Sequence, residues 1–267
     1  MTEAAARARL TRFRAHAAVV YGSGLEALPP GADVEDEIAY SDLGWPCTAV
    51  PGHANVVRLV SGVAAGEAGL RLALACGRPH LYEGWSADEL SRPVRDLAAA
   101  GVSRVVLTNS TGALRPQVEP GDIVVCGDLV DLQAPPAGAE PPRLEVCTAE
   151  AAQAVAAALV ASGASAAGTG GVRIGTYVAV AGPQFETRAE VPWLSGYGDV
   201  VGMSAAPELR AACAAGAECC LLALVANRAA EVGSHQEVLC RGAAAARGLS
   251  AGLGAAVAAR WPGLIRP

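Results

Sequence analysis

The chain reads as a single α/β domain over residues 1–267, on three observations. Short apolar runs alternate with helical segments from end to end, six of the runs close on a short polar or glycine-containing motif, and 52% of residues are hydrophobic while 4% are aromatic. Such a core is assembled from Ala, Val and Leu with few large rings, and neither disorder nor a coiled coil fits it. At 267 residues and 26.8 kDa the chain is long enough to bury a sizeable core.

From the N-terminus, Met1 to Val20 carries Arg7, Arg9, Arg12 and Arg14 among alanines and is expected to begin as an amphipathic helix. It lacks the uninterrupted apolar stretch of a signal peptide. Strands are predicted near Ala17–Tyr21, Leu70–Cys76, Arg104–Thr108, Asp122–Cys126, Arg173–Ala181, Asp199–Met203 and Cys219–Ala226. Helices are predicted at Ala87–Ala100, Thr148–Ser162, Pro207–Ala215 and Ser234–Arg260. Two have legible starts, because Ser86-Ala87-Asp88-Glu89 and Ser234-His235-Gln236-Glu237 fit the capping box, in which the serine hydroxyl and the glutamate satisfy each other's backbone N–H groups. Gln133 to Arg143, with Pro135, Pro136, Pro141 and Pro142, is too proline-rich for a regular element and reads as a surface loop.

Composition removes whole mechanisms. All 20 basic residues are arginine, so a P-loop lysine, a lysine Schiff base and a lysine general base are excluded. Net charge of −6 and a pI near 5.3 argue against nucleic acid or an anionic membrane as partner. A small anion held in a local arginine pocket stays possible. No window is long and apolar enough for a transmembrane helix. The eight cysteines contain no C-x-x-C and lie mostly in apolar runs, as small buried hydrophobes of a reducing cytoplasm do; neither a metal site nor a disulfide framework is expected.

The motifs that close the strands are Gly22-Ser23-Gly24, Gly77-Arg78-Pro79-His80-Leu81-Tyr82-Glu83-Gly84, Asn109-Ser110-Thr111-Gly112, Gly182-Pro183-Gln184-Phe185-Glu186, Gly202-Met203-Ser204 and Ala226-Asn227. Ligands of α/β sheets bind outside strand ends, so six such motifs indicate a small-molecule enzyme site. Gly22-Ser23-Gly24-Leu25-Glu26-Ala27 also matches the dinucleotide fingerprint G-x-G-x-x-A, but Leu28-Pro29-Pro30-Gly31 breaks the helix that fingerprint must open. A glycine-flanked serine can instead offer its hydroxyl and nearby backbone N–H groups to a phosphate oxygen. Arg78 supplies a planar fork suited to an oxyanion, and His80 a further donor once Glu83 orients its ring. His16 reads as a surface or helix residue; His53, in Val50-Pro51-Gly52-His53, has no role legible alone. His235, at a helix start, suits a neutral hydrogen-bond partner.

Together with Thr108-Asn109, Gly121-Asp122-Ile123 and Ala181-Gly182-Pro183-x-Phe185-Glu186-Thr187, these motifs closely resemble the trimeric purine nucleoside phosphorylases, in order from about residue 17 to 240. The resemblance implies one α/β domain with a mixed central sheet, a distorted barrel and surrounding helices, assembled as a homotrimer. The implied reaction is reversible phosphorolysis of a purine nucleoside to base and ribose 1-phosphate, with inorganic phosphate as co-substrate and no cofactor or metal. It assigns phosphate to Ser23, Arg78, His80, Ser204 and the Ser110 backbone N–H, with His53 at the phosphate entrance. It places ribose on Tyr82 and Met203, with His235 at the 5′-hydroxyl. The purine falls against Phe185 and Gly202, with Glu186 on its N1 and N2 edge and Asn227 on O6 and N7. His80, Glu186 and Asn227 are the implied catalytic set. The sibling methylthioadenosine phosphorylases carry Asp where this chain has Asn227, so the expected substrates are inosine and guanosine. A hydrolytic nucleosidase and a nucleoside-binding homologue without turnover are the competing readings. The chain departs from the family pattern at Ala113, at Ala226 and in the short proline-rich segment after Leu132, which offers no aromatic for a neighbouring subunit's ribose site.

Overall fold

The computed structural model describes residues 1–64, 69–133, 143–164, 170–231 and 235–259, the last stretch without the side chains of 235–245. Helix α1 (Glu3–Phe13) starts where the Thr2 hydroxyl accepts from the Ala5 amide, and it ends at Arg14 in the left-handed conformation. β1 (Ala17–Val20), buried throughout, leads to the hairpin of β2 (Asp33–Ala39) and β3 (Val56–Val63), whose connection holds the short α2 (Tyr40–Leu43). β4 (Leu70–Cys76) runs into a single 3₁₀ turn at Leu81–Glu83, and α3 (Ala87–Ala99) opens on the predicted Ser86–Glu89 capping box. The remaining elements are β5 (Arg104–Ala113), β6 (Ile123–Asp131), β7 (Arg143–Glu145), α4 (Ala149–Ala161), β8 (Val172–Ala179), α5 (Glu190–Leu194), β9 (Val200–Gly202), α6 (Ala206–Ala214), β10 (Glu218–Arg228) and α7 (His235–Ala258).

The strands form one mixed sheet in the order β10-β6-β8-β9-β5-β1-β4-β3-β2, with β7 on β6. β10 also pairs in parallel with β5. That second pairing closes β10, β6, β8, β9 and β5 into a five-stranded barrel, from which β1, β4, β3 and β2 continue as an open wing. The mixed sheet and distorted barrel expected from the sequence are therefore present. Closure removes the edges that five strands would otherwise expose. Outside the sheet α3 packs on α6 and α4 on α7. The core is built of Val, Leu and Ala, and Tyr21, Tyr40 and Tyr177 are the large rings fully buried in it. Of the described helices none is long and apolar enough to cross a membrane.

Several elements differ from expectation. The β2–β3 hairpin was not foreseen, because Asp33-Val34-Glu35-Asp36-Glu37 alternates charges on an exposed outer strand and carries no apolar signature; acidic side chains there discourage further pairing. β5 runs to Ala113 rather than stopping at Thr108, since β10 follows it through that residue with a bulge between Val225 and Asn227. Asn109 to Gly112 thus sit inside a strand, not in a loop after one. Ala113, where the family has glycine, is extended strand and needs no left-handed conformation. The short β7, α2 and α5 were also unforeseen, being too brief for periodicity to register. Residues 134–142 of the expected proline-rich loop, and Ser234 with its capping box, lie outside the described residues.

Leu221 is fully buried where β10 bridges β5 and β6, opposite Leu107 and Cys126. Leu221→Ala removes packing from both sides of the closure and is expected to lower stability by about 2–5 kcal/mol. Urea unfolding followed by circular dichroism measures it, with an unchanged midpoint contradicting the role of that closure.

Candidate active site

One cavity of about 350 Å³ lies where β1, β4, β5, β8, β9 and β10 bring their ends together. Its lining contains eleven of the thirteen residues singled out in the sequence: Ser23, Arg78, His80, Tyr82, Ser110, Phe185, Glu186, Gly202, Met203, Ser204 and Asn227. His53 stands just behind, its Nε2 3.0 Å from Ser23 Oγ. His235 is the first residue of α7, and its side chain is outside the described residues.

Two close approaches shape the walls. A Cβ at Gly22 would come within 2.6 Å of the Thr108 carbonyl oxygen, so only glycine lets the turn after β1 lie on β5. Gly182, at φ +73°, abuts Met203 and Tyr82, and a Cβ there would meet Met203 Sδ at 2.5 Å. Ala205 adopts φ +77° at the start of α6, a strained conformation for alanine that accompanies the turn carrying Ser204 into the cavity.

In the cavity lining Arg78 is 2% exposed. Its Nη1 donates to the Thr108 carbonyl at 2.7 Å and to Asn109 Oδ1, and its Nη2 donates to the Val20 carbonyl at 3.2 Å. Nε lies 2.9 Å from Glu208 Oε1 without the alignment of a hydrogen bond, so this contact is an ion pair. One Nη2 hydrogen has no partner among the described residues. Arg78 is therefore anchored before any ligand arrives: three of its five hydrogens are spent on Thr108, Asn109 and Val20, and among the described residues the Nε hydrogen, beside Glu208, and the second Nη2 hydrogen stay outside hydrogen bonds. Ser110 is likewise tied, its hydroxyl donating to the Ser23 carbonyl at 2.8 Å.

His80 behaves differently from expectation too. Its Nδ1 is 3.0 Å from Glu83 Oε1, which also accepts from the His80 amide at 2.8 Å. Burial pushes the His80 imidazole down to about 4, against the opposing effect of the hydrogen bond it donates to Glu83. The ring is thus neutral near pH 7 with its proton on Nδ1, and Nε2 is an acceptor rather than a second donor. Burial works to raise the Glu83 carboxyl, but hydrogen bonds from His80, Thr48 and the Ala49 amide outweigh it and hold the group below its ordinary value. The His80 ring stacks on Tyr82 with centroids 4.7 Å apart.

The lining also holds Glu186, Asn227 and Phe185. Burial raises the Glu186 carboxyl, a backbone hydrogen bond opposes it and the charge of Glu190 adds to it. Asn227 Nδ2 donates to the Arg228 carbonyl at 2.8 Å, and among the described residues Oδ1 and the second amide hydrogen have no partner. Phe185 is 43% exposed and, with Glu186, also lines an adjoining cavity of about 690 Å³ that includes Leu132, Trp193 and Tyr197.

Sequence reading missed Glu26, Glu208 and Tyr177. Glu208 would pass for an ordinary first-turn acid of α6, and only its burial against Arg78 distinguishes it. Tyr177 accepts from Asn109 Nδ2 at 2.8 Å inside the barrel, with the Ser204 amide 3.5 Å away. Asp122, quoted as part of a motif, is structural: it accepts from the amides of Glu119 and Gly171 and pairs with Arg173.

A mixed sheet closed into a barrel carries the cavity, with Arg78 and His80 on one side of its lining and the half-buried Glu186 with the buried Asn227 on the other, and residues 18–257 match the family model of the phosphorylase superfamily. More narrowly, the chain is 35% identical to a purine nucleoside phosphorylase of Mycobacterium tuberculosis over 258 residues, covering 88% of this chain and 85% of the relative. Mouse purine nucleoside phosphorylase is 34% identical over 256 residues, 90% of this chain and 87% of its own. The crystal structure of a schistosome purine nucleoside phosphorylase in complex with hypoxanthine superposes with a TM-score of 0.77 at 26% identity, covering 96% of each chain. The chain belongs to the purine nucleoside phosphorylase family.

Between pH 6.5 and about 4 the unfolded chain binds a proton at His80 that the folded chain refuses. Stability is therefore expected to fall as pH falls through that window, by up to about 3 kcal/mol. Urea midpoints at pH 7 and pH 4.5 test it, and His80→Asn should lose that share of the pH dependence.

Proposed function

We propose that the chain catalyses reversible phosphorolysis of 6-oxopurine nucleosides, inosine and guanosine, to the free base and ribose 1-phosphate. The observation that supports this reading is the convergence of eleven residues singled out in the sequence, from separate strand ends, on one cavity. Inorganic phosphate is the co-substrate, and no cofactor or metal takes part. The assembly is a homotrimer in the cytoplasm. A reducing compartment agrees with the seven cysteines whose side chains are described, all of which are free thiols.

Breaking the glycosidic bond develops positive charge on the sugar and negative charge on the departing purine. Phosphate at Ser23, Arg78, Ser110 and Ser204 lies under the sugar and stabilises the first. The hydrogen on a phosphate oxygen suits His80 Nε2, which needs a donor. Tyr82 and Met203, brought together by Gly182, bracket the ribose. Across the purine, Glu186 accepts from the N1 and N2 hydrogens. Asn227 donates its second amide hydrogen to O6, where negative charge gathers on the departing base, and Oδ1 accepts from N7 once that nitrogen has taken a proton from water. Asp at that position accepts only, which suits a 6-amino group instead.

Purified protein should release hypoxanthine from inosine only when phosphate is added. Phosphate-independent release would make it a hydrolase, and binding without turnover a nucleoside-binding protein. Asn227→Asp should lower the inosine-to-adenosine ratio of kcat/KM about 10- to 100-fold, the effect of leaving one buried polar group unpaired; an unchanged ratio removes Asn227 from base recognition.

A further inference from the structure

Behind the anion end of the cavity three side chains form a hydrogen-bonded row that the phosphorylase reading does not use in full. Glu26 Oε1 is 2.9 Å from His53 Nδ1, and His53 Nε2 is 3.0 Å from Ser23 Oγ. The His53 side chain is fully buried, and Glu26 is nearly so at 14% exposed. The second Glu26 oxygen accepts from the Ala54 amide at 3.3 Å, so both oxygens are occupied and the loop after β1 is fastened to the loop before β3.

The polarity of this row is fixed from one end. A carboxylate accepts and cannot donate, so His53 Nδ1 carries a hydrogen. If Nε2 is bare, Ser23 must donate to it and shows only lone pairs to the cavity, which repel an anion. If Nε2 is protonated, it donates to Ser23 Oγ and the hydroxyl hydrogen turns outward. The charges around the pocket press the same way. Arg78 is already paired with Glu208, and Glu83 and Glu26 add two further carboxylates, while His80 is neutral. An arriving dianion therefore meets an excess of negative charge unless a proton comes with it. The groups facing His53 are Glu26 from the loop after β1 and His80 from the loop after β4, with Arg78 and Glu83 adjoining His80 and Glu208 paired with Arg78.

We propose that Glu26 is a positioning residue for phosphate: by accepting from Nδ1 it fixes His53 so that, as the anion binds, Nε2 gains a proton from solvent, donates to Ser23 Oγ and turns the Ser23 hydroxyl toward the anion. The assignment rests on the reading of this cavity as a phosphate site. The proton comes from bulk water and returns there when the anion leaves, and no covalent bond forms or breaks.

Titration calorimetry with inorganic phosphate at pH 8, in buffers of different ionisation enthalpy, counts the protons. The expected result is an uptake of about one proton per phosphate bound. ¹⁵N spectra of the histidines should show His53 Nε2 changing from bare to protonated on addition of phosphate. Glu26→Gln keeps the size of the side chain but not its charge; it should raise KM for phosphate about 10-fold at neutral pH, far more than KM for inosine, and lower the proton count. No proton uptake, or a His53 spectrum that ignores phosphate, overturns the proposal even if Glu26→Gln does not fold. So does Glu26→Gln protein with the wild-type phosphate KM and proton count. Wild-type protein that shows no phosphate-dependent turnover overturns the phosphorylase reading and this one together, whereas phosphate-dependent turnover without proton uptake overturns only the role of Glu26.

Discussion

A guanidinium buried to 2% exposure cannot be left without acceptors, and the need to satisfy Arg78 organises the middle of this molecule. Its hydrogens reach the last residue of β1 and two residues of β5, and its charge meets Glu208 on α6. The end of β1, the middle of β5 and the start of α6 are thus held in one relation by one side chain. The serines at 23, 110 and 204 lie on or beside those same three segments. Their spacing around the cavity follows from the ion that the strands were obliged to surround.

The closed barrel supplies the rest of the frame. β5 belongs both to the barrel and to the open wing, so it transmits the position of Tyr177, inside the barrel, through Asn109 to Arg78. The bulge before Asn227 breaks the alternation of β10 at the residue that must leave the core and face the cavity. Strain at Ala205 sits beside Ser204, where a turn forced into the left-handed region aims a hydroxyl and an amide. Rigid parts of the fold thereby end in polar groups with little freedom to rearrange.

Much of this was readable in the chain. β4 falls on the predicted residues, α3 begins on its capping box, and the strand-closing motifs do meet, because period, caps and glycines are local properties. What could not be read were partnerships across long separations. Glu208 lies 130 residues beyond Arg78, and nothing nearby marks it as the partner of a buried cation. Glu26 sat inside a glycine motif whose familiar meaning is dinucleotide binding, while its actual neighbour is His53, 27 residues on. Groups that the sequence did single out take on a different character in the fold: Arg78 is spent on the carbonyls of Thr108 and Val20 and on Asn109, and His80 is an acceptor because burial denies it a second proton.

The two ends of the site differ in how much alteration they tolerate. Around Arg78 most polar atoms are already engaged, and Gly22 abuts the β5 backbone, so one added methyl group there collides with Thr108. On the other side Phe185 is partly exposed and an adjoining cavity extends to Trp193 and Tyr197. Evolutionary drift in this chain is therefore channelled: exchanges are accommodated around Phe185 and Trp193, while the half of the cavity around Gly22 and Arg78 has no room to vary.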